Sequence, residues 1–215
     1  AELSRELLEI SKKNRSKFIY FSSSEIYGNP SKENIPTKEI YNGNVSSIGD
    51  RSCYDESKRM GETYTYIYKN NFNLDAKIIR PFNFYGDLMK RNDERIIPKF
   101  FNQSLNRKKI TIYSNGQQTR TYCHIIDATI MIILAIFKGK KFVYNIGNPK
   151  EEINAEKIAN KIKKITNQKL NLVKIPYPNN YPSDEPRRRC PSIKNFSSEF
   201  KFKPMVNLNK GLRMF

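Results

Sequence analysis

Two short apolar runs that break off abruptly into polar residues constrain this chain most. The first is Lys17-Phe-Ile-Tyr-Phe-Ser22-Ser-Ser-Glu25-Ile-Tyr-Gly28, and the second is Ala76-Lys-Ile-Ile-Arg80-Pro-Phe-Asn83-Phe-Tyr-Gly86. Continuous apolar runs of this length, flanked by helical patterns, read as buried parallel strands. Helical patterns are expected at about 2–14 and 51–70, the second lying between the two runs. In open parallel sheets chemistry gathers at the carboxyl ends of the strands. Ser22, Ser23 and Glu25 fall at one such end, and Arg80, Pro81 and Asn83 at the other.

Tyr54 and Lys58, in Arg51-Ser-Cys-Tyr-Asp-Glu-Ser-Lys58, stand four residues apart on the intervening helix. That spacing puts them one turn apart on the same face. An ammonium beside a phenol favours the ionised phenol, which lets it take a proton from a hydroxyl at neutral pH. Tyr-x-x-x-Lys on an exposed helix is usually solvated surface, so its weight comes from the two strand ends beside it.

The order strand-Ser-Ser-Glu, helix Tyr-x-x-x-Lys, strand-Arg-Pro-x-Asn resembles the extended short-chain dehydrogenase/reductase family of nucleotide-sugar epimerases, dehydratases and decarboxylases. The resemblance runs through nearly the whole chain. It implies an α/β fold: a partial Rossmann-like, doubly wound parallel sheet over residues 1–86, then a small C-terminal α/β substrate domain over residues 87–215. Some segments of that second part return to the sheet. It also implies NAD as cofactor and a UDP-sugar as substrate. Ser22, Tyr54, Lys58, Arg80 and Pro81 would face NAD. Ser23, Glu25, Tyr54 and Lys58 would be catalytic, and Asn83 would contact the diphosphate side of the substrate. Tyr113-Ser-Asn-Gly-Gln-Gln-Thr-Arg120-Thr-Tyr resembles the family's substrate-domain hairpin. There Arg120 would fork onto the diphosphate and Tyr113 would stack on the base. An ordinary hairpin would also carry Asn-Gly.

Asp184-Glu-Pro-Arg187-Arg-Arg189-Cys-Pro-Ser-Ile193 narrows the resemblance to UDP-glucuronate decarboxylases. Three adjacent arginines are most often a solvated patch. In that group, the arginine at the Arg189 position lies by the sugar and its departing carboxylate. A fixed cation suits either a carboxylate or the charge that develops as it leaves. The reading is NAD-dependent oxidative decarboxylation of UDP-glucuronate to UDP-xylose or its 4-keto pentose. A 4,6-dehydratase or C4 epimerase is the alternative enzyme, and a non-catalytic remnant or one half of a split enzyme the alternative outside that class. The family also implies a homodimer through the helices at 2–14 and 51–70.

No G-x-G-x-x-G or G-x-x-G-x-x-G turn occurs, although a dinucleotide fold uses one to hold the pyrophosphate. The resemblance implies that this sequence corresponds to the C-terminal two-thirds of the family's length, without the roughly hundred residues that would hold the adenosine half of the cofactor. The expectation is a fragment, a degenerate relative, or a chain partnered by a separate N-terminal half.

The formal net charge is +18, from 39 Lys and Arg against 21 Asp and Glu. Such an excess can signal nucleic acid, but the basic residues are scattered, so nucleic acid ranks well below a nucleotide sugar. Cys53, Cys123 and Cys190 show neither zinc spacing nor a disulfide framework, so no metal is expected and a reducing cytoplasm fits. The single histidine, His124, excludes histidine triads and reads as packing or surface. Ile125 to Phe137 is too short for a membrane span and carries Asp127, which points to a buried helix. Further expectations are a helix at 94–107, strands at 110–113, 120–123, 142–146 and 171–175, a helix at 154–166, and an ordered proline-rich loop at 176–191 over the site.

Overall fold

The computed structural model describes residues 2–90, 92–179, 181–182 and 185–215. Helix α1 (Glu2–Lys13) leads into strand β1 (Phe18–Phe21), and helix α2 (Ser52–Phe72) leads into β2 (Ala76–Pro81). The strands pair in parallel from Phe18↔Ala76 to Phe21↔Ile79. Strand β2 is buried along almost its whole length, as a strand covered on both faces must be.

The chain then leaves this sheet through β3 (Phe84–Tyr85), α3 (Ile96–Leu105), β4 (Ile110–Tyr113), β5 (Thr119–Arg120) and β6 (Cys123–His124). Helix α4 (Ile125–Lys138) and strand β7 (Val143–Ile146) return to it, giving a parallel sheet of order β1-β2-β7. The remaining elements are β8 (Ile153–Asn154), α5 (Ala155–Ile165), β9 (Leu172–Ile175), β10 (Arg188–Arg189), α6 (Lys194–Phe200) and α7 (Leu208–Arg213).

Side chains alternate across the strands, so the sheet packs differently on its two faces. Ala76 joins Leu8 of α1 and Tyr68 of α2. Ile79, Tyr144 and Ile146 meet Ala128, Met131 and Ala135 of α4 and Phe196 of α6. A separate core unites Ile97, Phe100 and Phe101 of α3 with Ile110 and Ile112 of β4 and Ile158 and Ile162 of α5.

Gly61 sets the height of α2 over the sheet. A Cβ at this position would collide with the ring and hydroxyl of Tyr20 on β1. The missing side chain lets helix and strand approach closely, which brings the start of α2 up to the end of β1.

Two expectations are corrected. The segment from Tyr113 to Tyr122 is not a hairpin. Strand β4 pairs in parallel with β9, whereas β5 pairs in parallel with β10 and antiparallel with β8. Gly116, at φ +67°, turns the chain out of the first sheet instead of folding it back. Helix α4 is not buried all round either. Asp127, Ala128, Met131 and Ala135 face inward, but Ile126, Ile133 and Phe137 are exposed.

Candidate active site

A cavity of about 770 Å³ opens where the ends of β1 and β2 meet the segment joining β9 to β10. Its lining includes Ser23, Glu25, Arg51, Tyr54, Pro81, Asn83, Tyr113, Arg120 and Glu185.

At the end of β1, the Ser22 N–H makes a sheet bond to the Ile79 carbonyl, and the chain then breaks into a 3-10 turn, Ser24–Tyr27. Ser23 caps that turn, its Oγ accepting from the Glu25 N–H at 3.2 Å. This local bond fixes the entry of Glu25 into the cavity. The buried Ser22 Oγ has no hydrogen-bond partner among the described residues.

Tyr54, in the first turn of α2, is 49% exposed at the cavity wall. The Lys58 ammonium lies 5.8 Å from the Tyr54 ring centroid and donates to the Phe21 carbonyl at 2.8 Å. Partial burial lowers the Lys58 pKa from its ordinary value. The expected one-turn adjacency is therefore present, with Lys58 anchored to the end of β1.

Glu25 accepts hydrogen bonds from both Arg51 and Arg189. Arg189 is 3% exposed and stands behind Glu25, also donating to Ser24 Oγ at 3.4 Å. Burial pushes its pKa down to about 9, with the Arg120 charge acting in the same direction, so it stays a cation at neutral pH. Arg51 lines the cavity itself. Its Nη1 donates to Glu185 at 2.5 Å, and its Nε lies 3.6 Å from Asp55. Arg120 donates to the other Glu185 oxygen at 2.8 Å and to the Pro186 carbonyl at 2.7 Å.

At the far end, Tyr113 faces Tyr177 and Tyr181, with ring centroids 5.9 and 6.1 Å away. The latter two stack on each other at 4.0 Å. Lys99 donates to the Tyr113 hydroxyl at 3.0 Å. Asn83 lines the cavity while donating to the Thr121 carbonyl at 3.0 Å.

Of the sequence-predicted residues, Ser22, Lys58, Arg80 and Arg189 do not line this cavity themselves; the first two sit at the end of β1 and Arg189 behind Glu25, whereas Arg80 turns away into the protein. Its guanidinium forks onto Glu62 and donates to the Tyr27 hydroxyl and the Glu39 carbonyl. The Arg80 side chain thus uses its donors within the protein, tying β2 to α2 and to the Tyr27 turn. Arg188 of the arginine run forks onto Glu152, Arg187 is exposed, and Asp184 lies outside the described residues. His124 packs edge-on against Tyr85 at 5.2 Å. Cys53 is exposed, Cys123 and Cys190 are buried, and all three are free.

Sequence reasoning passed over Arg51, Glu185, Lys99, Tyr177 and Tyr181. Arg51 carried a usable signal: it lies three residues before Tyr54, hence on nearly the same side of the helix start. The other four reach the cavity only through tertiary folding.

Among known proteins, the NAD dependent epimerase/dehydratase family matches residues 1–147, and the chain belongs to that family. It is 34% identical over 206 residues to UDP-glucuronic acid decarboxylase 3 of Arabidopsis thaliana, covering 96% of this chain and 58% of that protein. It is 32% identical to UDP-glucuronic acid decarboxylase 1 of Danio rerio, covering 96% of this chain and 48% of that one. The chain thus spans about half the length of the curated relatives it matches. Among solved structures, it resembles the UDP-glucose 4-epimerase of Thermotoga maritima with UDP-glucose, at TM-score 0.87 and 25% identity over 98% of this chain and 66% of that one. The UDP-glucuronic acid 4-epimerase of Bacillus cereus, in complex with UDP-glucuronic acid and NAD, gives TM-score 0.79 and 28% identity over 99% and 64%. These neighbours carry the Rossmann-type α/β sheet expected from the sequence.

NAD is the cofactor of this family. The residues fit its reactive end. The orphaned Ser22 hydroxyl, the exposed Tyr54 phenol and Pro81 gather around the strand ends, leaving polar groups for a ring to meet. No group of three or more His, Cys, Asp or Glu among the described residues could hold a metal ion, and no helix there is long and apolar enough to cross a membrane.

Proposed function

We propose that this chain forms the catalytic and sugar-binding part of an enzyme that decarboxylates UDP-glucuronate oxidatively to UDP-xylose or its 4-keto pentose. The observation that carries the reading is Glu25, held between Arg51 and Arg189 in the same cavity as Tyr54. The decarboxylase relatives support it.

When bound, NAD supplies the hydride acceptor for the sugar C4. Tyr54 takes the C4 hydroxyl proton, with the Lys58 ammonium 5.8 Å from its ring centroid on the same helix face. The Ser23 hydroxyl receives the Glu25 N–H, leaving its own proton free for the reacting oxygen. A ketone at C4 places the C6 carboxylate β to a carbonyl, so carbon dioxide departs with its electrons drawn toward that ketone. The C5 carbon then takes a proton from a water that Glu25, steadied by two guanidiniums, would hold and polarise, and return of the hydride to C4 would give UDP-xylose. Arg189 acts from behind Glu25, while Arg120 and Asn83 face the diphosphate and Tyr113, Tyr177 and Tyr181 the base. We further propose that the functional unit is a homodimer and works in the cytoplasm.

The test is incubation of the full-length protein with UDP-glucuronate and NAD, with products followed by NMR. Carbon dioxide and a UDP-pentose are expected. C4 inversion with the carboxylate retained would instead establish the epimerase reading, which the likeness to a UDP-glucuronic acid 4-epimerase favours. Absence of any turnover would remove the enzyme reading.

A further inference from the structure

Arg51 is encircled by carboxylates. Its Nη2 donates to Glu25, its Nη1 to Glu185 at 2.5 Å, and its Nε lies 3.6 Å from Asp55. Glu185 is shared, because its second oxygen accepts from Arg120 at 2.8 Å. The three carboxylates are anchored differently. Glu25 is also held by the buried Arg189, and Asp55 is buried within α2. Glu185 arrives from the segment between β9 and β10, lines the cavity, and has its oxygens on the two arginines that face the same space.

A carboxylate bridging two guanidiniums at a cavity wall matches what an anionic ligand would do there. Two oxygens and one negative charge suit the guanidinium fork whether they belong to a side chain, a sugar acid or a diphosphate. The same Nη atoms cannot serve Glu185 and a ligand anion together without bringing like charges into contact, which is costly in a partly desolvated site. Withdrawing Glu185 without replacement would leave Arg120 with carbonyl partners only and Arg51 with Glu25 and Asp55, one carboxylate fewer on each guanidinium. The two anions are therefore exclusive, and one must follow the other.

We propose that Glu185 is a stand-in anion, displaced by the negatively charged part of the ligand, and that Arg51 is the residue that then reads the sugar's carboxylate. This rests on the decarboxylase reading for the identity of the sugar, but the displacement itself does not. The contact makes ligand charge a condition of entry. A neutral sugar at that position would leave Glu185 on Arg51, whereas a carboxylate replaces it in kind.

The experiment is calorimetric titration of UDP, UDP-glucose and UDP-glucuronate into the full-length protein, its Glu185→Gln variant and its Arg51→Gln variant. Removing the competitor's charge should tighten UDP-glucuronate by about five- to tenfold and UDP by a smaller factor, opposite to the effect of deleting a ligand contact. Arg51→Gln should erase the preference for UDP-glucuronate over UDP-glucose while retaining UDP. Weaker binding of all three ligands to Glu185→Gln would overturn the proposal, since Glu185 would then be a contact. Failure of both Glu185→Gln and Glu185→Ala to fold would overturn it as well, by making Glu185 structural. If the wild-type protein does not distinguish UDP-glucuronate from UDP-glucose, the decarboxylase reading falls. The change in UDP affinity on Glu185→Gln would still decide the displacement.

Discussion

Arg80 and Glu62 form a two-pronged ion pair, with Nε and Nη2 of the arginine 2.8 and 2.6 Å from the two carboxylate oxygens. Both side chains are largely buried, and the pair ties β2 to α2. Removing one member strands the other. Arg80→Met should therefore lower unfolding free energy by about 3–5 kcal/mol. Denaturant melts would show this, while affinity for NAD in the folded fraction should change little. A selective loss of NAD binding at unchanged stability would instead assign Arg80 to the cofactor.

Tyr54→Phe keeps the ring and removes the proton acceptor. Turnover should fall by at least about a hundredfold, with UDP-sugar affinity nearly unchanged. Retention of a tenth of wild-type kcat would rule Tyr54 out as the base.

Gly61→Val forces side-chain atoms into the Tyr20 ring. The expected loss is about 1–3 kcal/mol in stability. In the folded fraction kcat should drop as well, because the displaced helix carries Tyr54 and Lys58 away from the end of β1. Gly61→Ala in combination with Tyr20→Ala should recover part of the stability, a coupling that a double-mutant cycle measures.

His124, the only histidine, gives a clean pH probe. Burial lowers its pKa below the ordinary 6.5, although Asp127 opposes the shift. The folded state thus binds this proton less readily than the unfolded chain. Its contribution to stability is complete above 6.5 and is lost as pH falls through the folded-state value. A one-histidine NMR titration should show a midpoint below 6.5, and a midpoint above it would contradict the burial argument.

Leu3, Leu7 and Ile10 project from α1, and Met60 and Ile67 from α2, all exposed on a chain whose other large apolar groups mostly find a core. Two copies pairing through these helices would cover them. Sedimentation should give a dimer at tens of micromolar, and Leu7→Glu with Ile10→Glu should shift it to monomer. A wild-type monomer would discard the dimer.

The sequence was most legible where a local pattern and its partner coincide. Ile78 and Ile79, flanked by helices, announce a covered parallel strand, and the i, i+4 spacing of Tyr54 and Lys58 survives folding because it belongs to one helix. Legibility fails where partners are far apart. Asn115-Gly116 carries a local turn signal, yet Ile110 pairs with Leu172, and no short-range rule reveals that. Arg51 and Glu185 are separated by 134 residues, so their bridge has no sequence periodicity at all. The partner of Arg80 is hidden for a related reason: its place after an apolar run looks like an open strand end, but Glu62 reaches it from a helix already assigned to other work.

Arg120 and Arg189 are register partners on adjoining strands, β5 and β10. Two cationic stations are thus mounted on one rung of backbone, about 4.8 Å apart from strand to strand. Side chains can swing, but a rung does not stretch. The site consequently works as a gauge with a fixed interval, so a point substitution can change what each station grips and leave the interval itself intact. Under the proposed decarboxylase reading, accepting a longer or shorter sugar acid would call for an inserted or deleted residue in one of these strands.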